Sequence, residues 1–527
     1  MNHPENREEE KNKMNLLVWQ GTKEIGCGGD FIIPDTKKDI KTVLWSEFRL
    51  EEQKPEAGDG SVTVKGSVTA TVVYLADDGT LSYCVFSFPC AEEIPAPGVK
   101  PGNDVFRSGS VTDRTVKTIN SRKVRISAKV RDFLFAYSEE ETVPVLRGLT
   151  ASGQTTVKER RRAVKSSIPV ACRSVSIPVS ADIGVPGTLP AVGEIVGGEM
   201  SVTAVSAEAE ENAVRVTYEN RFSFLCRSEN GSTFPLKKKT RQTETAEVPG
   251  CLPGDRVLLN VSAGELRGEI GEDAVGEKRV LEADAVCSFS LSVFRDKDAV
   301  LTSDLYSTVY PTESVSEREE KSVLLLRTAS GGYSHNVSFP KEECGAAAAV
   351  SVADTRAFAV VTGTETDPFR EKLIVNGRVQ LFALTVGAGE DGSAALGLAV
   401  AESPFRCELD SGAVPDGDCA VPVSVSVADA NCRMDNGKLY FDTELSFTAP
   451  VFSFSSCRFV KEAVFSGEPA EKKDLPSVIL CYPGEGETLW EIAKRYRSST
   501  DALLTANRMT EGDLPKKTVL LIPTDAV

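Results

Sequence analysis

SVTVKGSVTATVVY, residues Ser61 to Tyr74, places Val62, Val64, Val68, Val72 and Tyr74 at even positions among polar neighbours. Side chains of a strand point alternately to its two faces, so this spacing describes a strand with one face buried and the other wet. Val214 to Leu225, VRVTYENRFSFL, repeats the pattern with Val214, Val216, Tyr218, Phe222 and Phe224, and Leu373 to Leu384, LIVNGRVQLFAL, follows it. Helical periodicity is scarce before residue 480. The turn pairs Asp78-Gly79, Asn230-Gly231, Asp391-Gly392 and Asn436-Gly437 supply the left-handed positions that tight hairpins need.

The hairpin turns expose a long period. After Asp78-Gly79, Asn230-Gly231 and Asp391-Gly392 a further β run arrives: VRISAKVRDFLF from Val124, VLEADAVCSFSL from Val280 and LYFDTELSFTAP from Leu439. Three copies of one antiparallel β-domain, sandwich-like or barrel-like, are expected over 15–150, 163–305 and 315–465; the competing arrangement is a single irregular β array. Lys158 to Arg162 and Lys237 to Lys239 read as solvated linkers or loop tips. Residues 1–14 read as a charged, disordered tail, and 466–477 as a Pro/Gly linker.

Composition narrows the function. A chain of 527 residues exceeds what one core supports, and 41% hydrophobic residues are enough for several. The formal charge of −17 gains little from phosphate backbones, which disfavours nucleic acid and anionic membrane surfaces. Met1 to Asn15 has no apolar signal-peptide core, and no stretch has the length of a membrane span, so the chain is expected to be cytoplasmic without membrane insertion. The 13 cysteines are odd in number and lack CxxC spacing, which fits reduced, buried thiols. Cys407, Cys419 and Cys432 fall in a loop-rich stretch whose spacing matches no zinc site. No metal or cofactor is expected.

Catalytic signatures are missing. There is no GxSxG, HExxH or Walker-type loop. The chain has two histidines, His3 in the tail and His335, read as a loop residue after Gly331-Gly332-Tyr333. Acidic pairs such as those in Glu139 to Glu141 mean little among 77 acidic residues. No catalytic residue is assigned. A cell-wall hydrolase, the rival class, needs export and a catalytic core.

Val478 to Pro523 differs in kind: VILCYPGEGETLWEIAKRYRSSTDALLTANRMTEGDLPKKTVLLIP. Val478 to Tyr482 reads as a short strand. Thr488 with Glu491 makes a capping box, and Leu489, Ile492, Ala493 and Tyr496 form one apolar stripe. Ser499 or Thr500 opens a second helix carrying Leu503 and Leu504, with Leu504 assigned to the core beside Leu489 and Ile492. Asn507 ends it in a left-handed conformation, and Val519 to Ile522 returns as a strand. The order is β-α-α-β, and the module is expected to fold on its own behind its linker.

Two family resemblances follow. DFIIPDTKKDIKTVL, Asp30 to Leu44, with the Gly66-centred strand and Val73-Tyr74, resembles the SPOCS domain of SipL-type spore coat morphogenetic proteins, which end in a LysM. The GETLWEIAKRY core at Gly486 to Tyr496, Ala506-Asn507 and the closing Leu521 to Pro523 resemble LysM. The first resemblance implies a non-enzymatic scaffold for spore coat encasement, held at the forespore surface in the mother cell. Its implied partner is the coat ATPase named stage IV sporulation protein A. The second implies a groove for N-acetylglucosamine polymers, formed here by Gly486, Glu487, Thr488, Leu489, Asn507, Arg508 and Met509. Departures from the LysM pattern are Glu487 for a usual Asp, Glu485 for Pro, Cys481 for Tyr, and Lys516 after Pro515 for Gly. Lys494, Arg495 and Arg497 carry positive charge on an acidic chain and form a candidate surface for an acidic protein partner.

Overall fold

The computed structural model describes residues 13–367, 369–388, 394–412, 418–470, 478–510 and 519–523. It is 73% strand and 4% helical, and all ladders but one are antiparallel. The chain is mainly β, as the alternation predicts. Asp391-Gly392, Pro515 and Lys516 lie outside the described residues.

The first unit runs β1 (Lys13–Ile32), β2 (Ile40–Glu52), β3 (Glu56–Ala57), β4 (Ser61–Ala76), β5 (Leu81–Pro95), β6 (Asp104–Asn120) and β7 (Lys123–Glu141). Its first and last long strands ladder together, β1 with β7, and β6 adds to β7. A second sheet, β2-β4-β5, packs across it. The even positions of Ser61 to Tyr74 all enter the core between the two sheets: Val62, Val64, Val68, Val72 and Tyr74 are fully buried. After this unit come β8 (Val145–Arg147) and a single helical turn, α1 (Ala151–Gln154).

The same plan returns twice. The second unit has β9 (Val157–Gly184), β10 (Val192–Glu210), β11 (Ala213–Ser228), β12 (Thr233–Glu247), β13 (Arg256–Ala263), β14 (Arg267–Gly271) and β15 (Val280–Ser307). The third has β16 (Thr312–Pro340), β17 (Ala349–Asp367), β18 (Lys372–Ala388), β19 (Ala394–Asp410), β20 (Cys419–Ala420), β21 (Ser424–Asp435) and β22 (Lys438–Phe465). β9 ladders to β15 and β16 to β22, while β10-β11-β12 and β17-β18-β19 form the opposing sheets. Irregularities repeat along with the strands. The bulges at Ile40/Thr42 and Val43/Trp45 recur at Val192/Glu194 and Ile195/Gly197, and again at Ala349/Ser351 and Val352/Asp354. A bulge is a local feature of one backbone position, so its recurrence in three registers marks one template. At Asn436-Gly437, between β21 and β22, both residues take positive φ, 47° and 73°, as the turn chemistry requires.

The three units close around a common axis. At one end Phe135 and Tyr137, Leu258 and Phe294, and Phe452 and Phe454, two from each unit, form one cluster with Leu325. The Phe135 and Phe452 rings stand 4.9 Å apart, and those of Phe294 and Phe452 6.2 Å apart. At the other end Leu44 and Trp45 meet Val196 and Leu225 and also Ala353 and Leu384. Between strands, Asn15 Nδ2 donates to the Ser167 carbonyl at 2.9 Å, and Leu325 N donates to Ser167 Oγ at 3.0 Å.

Ionisable groups surround the axis too, one bulge-related residue from each unit: Glu47, Glu199 and Arg356. Arg356 binds Glu199, lies 3.0 Å from Asp354, 3.1 Å from Ser223 Oγ and 3.9 Å from Glu47. Arg221 pairs with Asp429 at 2.6 Å. All three units wall in Glu47 and Glu199, leaving them 34% and 26% of their side-chain surface.

Several sequence expectations are corrected. Met14, assigned to the tail, is fully buried in β1, because its side chain joins Leu16 in a cluster with Ala299, Leu301, Cys457 and Phe459. Val145 to Arg147, assigned to the first domain, ladder in parallel with β22 of the third unit. Lys158 to Arg162 are not a linker but strand residues laddered to β15. Lys237 to Lys239 lie within β12: Lys237 Nζ donates to the Ala430 carbonyl at 3.0 Å, and Lys239 pairs with Asp429 at 3.0 Å, so this basic run fastens the second unit to the third. His335 sits in β16 at 5% exposure, and burial pushes its pKa down. Cys407, Cys419 and Cys432 are strand residues of β19, β20 and β21. Ser466 to Ala470 are held by backbone bonds to Pro311 and Val309, so the linker does not begin at Ser466.

Candidate functional site: the C-terminal module and its seat

The last described stretch forms β23 (Val478–Cys481), α2 (Leu489–Tyr496), α3 (Thr500–Asn507) and β24 (Leu520–Pro523). Thr488 caps α2 through its hydroxyl, and Glu491 reaches back to the Thr488 N–H at 2.7 Å. That backbone donor, with the Thr488 hydroxyl, holds the Glu491 carboxyl below its ordinary range. Ser499 Oγ caps α3 by accepting from Ala502 N at 3.1 Å. β23 and β24 pair antiparallel from Val478↔Pro523 to Cys481↔Leu520.

The core holds Cys481, Ile492, Ala493, Leu503, Leu520 and Ile522, with Leu489 and Met509 partly buried against them. Leu503 is the buried leucine of α3, not Leu504: the phase set by the Ser499 cap turns the earlier residue inward. The left-handed residue after α3 is Arg508, at φ 51°, rather than Asn507. Asn507 is instead a clip. Its Nδ2 donates to the Leu503 and Leu521 carbonyls, both at 2.8 Å, and its Oδ1 accepts from Leu521 N at 2.7 Å.

The seven groove residues are therefore unequal. Gly486 and Arg508 are exposed. Glu487 accepts from Gly484 N at 2.9 Å and pairs with Arg495. Thr488 and Asn507 spend their side chains inside the module, and Leu489 and Met509 lean on its core. What faces solvent is chiefly backbone at Gly486 and the Arg508 side chain.

The three cations separate as well. Lys494 donates to Asp304 Oδ1 at 2.6 Å, Arg495 is held by Glu487, and Arg497, left-handed at φ 54°, is exposed. Asp304 belongs to β15 of the second unit. Its other oxygen accepts from Trp490 Nε1 at 2.7 Å. Two residues on, Tyr306 packs edge-on to Trp490 with ring centroids 5.0 Å apart and donates its hydroxyl to the Ser498 carbonyl at 2.8 Å. Burial pushes the Tyr306 phenol up to about 12. Asp304 and Tyr306 were not singled out from the sequence. The available signal was the pair Trp490 and Lys494, one turn apart beside the apolar stripe.

Residues 39–119 match the family described as SipL, SPOCS domain, and residues 484–523 match the LysM domain. The chain carries a SPOCS domain and a C-terminal LysM, the pairing of SipL-type proteins. No curated protein and no solved structure matches it. The SPOCS match covers β2 to β6 of the first unit, and the LysM match covers both helices and β24 of the module just described. Both are non-catalytic binding domains. Among the described residues one cavity is lined by Val175, Phe289 and Leu291 and another by Arg114, Phe358 and Arg378, and neither touches the LysM. Among the described residues no cluster of His, Cys, Asp or Glu is placed to hold a metal, and no helix is long and apolar enough to cross a membrane.

Proposed function

We propose that this chain is a non-enzymatic scaffold of spore coat assembly, acting at the forespore surface in the mother-cell cytoplasm. In this reading all three units are SPOCS domains, built as one ring that presents the LysM to a coat ATPase of the stage IV sporulation protein A type. The carrying observation is the seat: Asp304 takes both Trp490 and Lys494, so the module is offered in a fixed orientation. A module meant to search a glycan mesh gains from a free tether, whereas one joining two proteins gains from preorganisation.

Glycan recognition is the second reading, favoured by the LysM match itself. Against it stand Thr488 and Asn507, whose polar side chains are already engaged. A pull-down from sporulating cells compares the full chain with one ending at Ala470. Capture of the ATPase by the full chain alone supports the scaffold. Equal capture by both chains, with chitin oligomers bound by the full chain, overturns it.

A further inference from the structure

The first unit holds two thiols at a seam. Cys27 lies in β1 and Cys90 in β5, and these strands meet without a shared ladder, since β1 is bonded to β7 and β5 to β4. Both side chains belong to one core. The third unit shows the same meeting of strands: His335, ten residues past the Leu325 bulge as Cys27 is ten past the Leu17 bulge, faces Phe405 of β19 at 6.5 Å between ring centroids. The fold itself brings these two positions together. In the first unit both are cysteine.

Their surroundings differ from those of the other thiols. Cys90 is buried at 1% exposure, while Cys27 is half-buried and so opens the pair to small solutes. Cys27 packs against the core that holds Cys90, and its thiol donates to the Ala128 carbonyl at 3.8 Å. A Cβ placed on the neighbouring Gly26 would meet nothing within 4 Å, which leaves the strand room to adjust.

We propose that Cys27 and Cys90 form a reversible disulfide when the thiol pool turns oxidising, cross-linking β1 to β5 and locking the seam of the first SPOCS unit. Cys90 supplies the nucleophile, because the neighbouring Cys27 thiol draws it below the ordinary value while Cys27 itself is raised. Its thiolate attacks one oxygen of hydrogen peroxide. The O–O bond breaks, hydroxide leaves as water with the proton that Cys90 gave up, and Cys90 becomes a sulfenic acid. Cys27 sulfur then attacks that sulfur; the S–O bond breaks, and the second water departs with the Cys27 proton. Two thiols lose two electrons and two protons, and one peroxide becomes two waters. In a glutathione-poised compartment the pair stays reduced.

The test titrates the full-length protein with hydrogen peroxide, blocks remaining thiols by alkylation and maps peptides by mass spectrometry. The expected result is a Cys27–Cys90 cross-linked peptide at the lowest effective dose, a higher Tm after oxidation, and reversal of both by dithiothreitol. Cys27→Ser, at the half-exposed position, should abolish the cross-link and the rise in Tm while leaving the reduced protein folded. If exposed Cys172 oxidises while Cys27 and Cys90 are still alkylated in full, the proposal fails. It fails equally if the pair bridges only after the chain is unfolded in urea. Should Cys27→Ser not fold, the wild-type peptide map decides alone.

Discussion

Trp490 and Asp304 join the ends of two structures that lie 186 residues apart in sequence, through an indole donor 2.7 Å from a carboxylate oxygen. The carboxylate's second oxygen is taken by Lys494, and Tyr306 closes the contact against the indole ring. A half-buried charge with two donors is worth more than a surface ion pair, because neither oxygen is left to water alone. Asp304→Ala should loosen this seat by about 1–2 kcal/mol. Trypsin cutting before residue 478 should speed up and Trp490 fluorescence should shift red, with the LysM core intact. Unchanged cutting and emission would show that the seat is held by other contacts.

The LysM core turns on Ile492, fully buried between the helices and the two strands. Ile492→Asp places an unpaired carboxylate there, at a cost of several kcal/mol, roughly 3–5. Residues 478–523 should become protease-sensitive, while the main melting transition of residues 13–465 stays in place. A protected module in that variant would contradict the helix assignment.

Arg356 is the cation among the three bulge-related axis residues, and its side chain is 9% exposed. Arg356→Met leaves Glu199 and Asp354 facing each other without their partner. Removing one member of such a network costs about 3–5 kcal/mol. The prediction is a Tm drop, partly restored by adding Glu199→Gln, since the second change removes the stranded charge. No drop, or no restoration, would mean the axis is held by its apolar ends alone.

Much of this was legible because strand alternation and helix capping are local. Val62 to Tyr74 announce their buried face, and Thr488 with Glu491 announces a helix start. The start of β9 was not legible: Arg160, Arg161 and Arg162 are all exposed, so no alternation marks their strand. Ring closure was hidden for a different reason. Glu47, Glu199 and Arg356 are equivalent in position but not in kind, and a repeat search by residue type passes over them. The seat was hidden because Asp304 is one carboxylate among many, and only the fold selects it.

The axis also makes stability depend on pH. Burial, then the charge of Glu199, raises the Glu47 pKa well above its ordinary 4.5. A carboxyl raised on folding gives stability that is complete below its unfolded pKa and lost as pH rises through the folded one. Glu199 goes the other way: burial opposes its ionisation, but Arg356 and the Glu47 hydrogen bond bring it to about 2. Its contribution is present above the unfolded value and lost as pH falls toward about 2. Glu47→Gln should therefore flatten the fall in Tm above pH 4.5 and leave the acid side unchanged. Parallel curves for both proteins across the alkaline side would refute the assignment.

The choice between a protein and a glycan partner now rests on fewer residues than the sequence offered. Lys494 and Arg495 are committed to Asp304 and Glu487, so reversing either would disturb the seat or the Gly484–Glu487 turn before it touched a partner. Arg497 is exposed beyond the end of α2, and reversing its charge changes little inside the module. If an acidic protein surface docks here, Arg497→Glu should slow its capture and make the remaining binding less sensitive to salt, by the loss of one steering charge. Asn507→Ala has the opposite use. It cuts the clip to Leu521, so it should lower the stability of the LysM by about 1–3 kcal/mol whatever the ligand is. Loss of chitin binding in that variant counts for a glycan groove only if the module is still folded under the assay conditions. The scaffold reading expects weak or absent chitin binding by the intact chain, with ATPase capture reduced by Arg497→Glu. Firm chitin binding, untouched by Arg497→Glu and lost in a folded Asn507→Ala, with ATPase capture normal in both, would make the LysM a glycan reader.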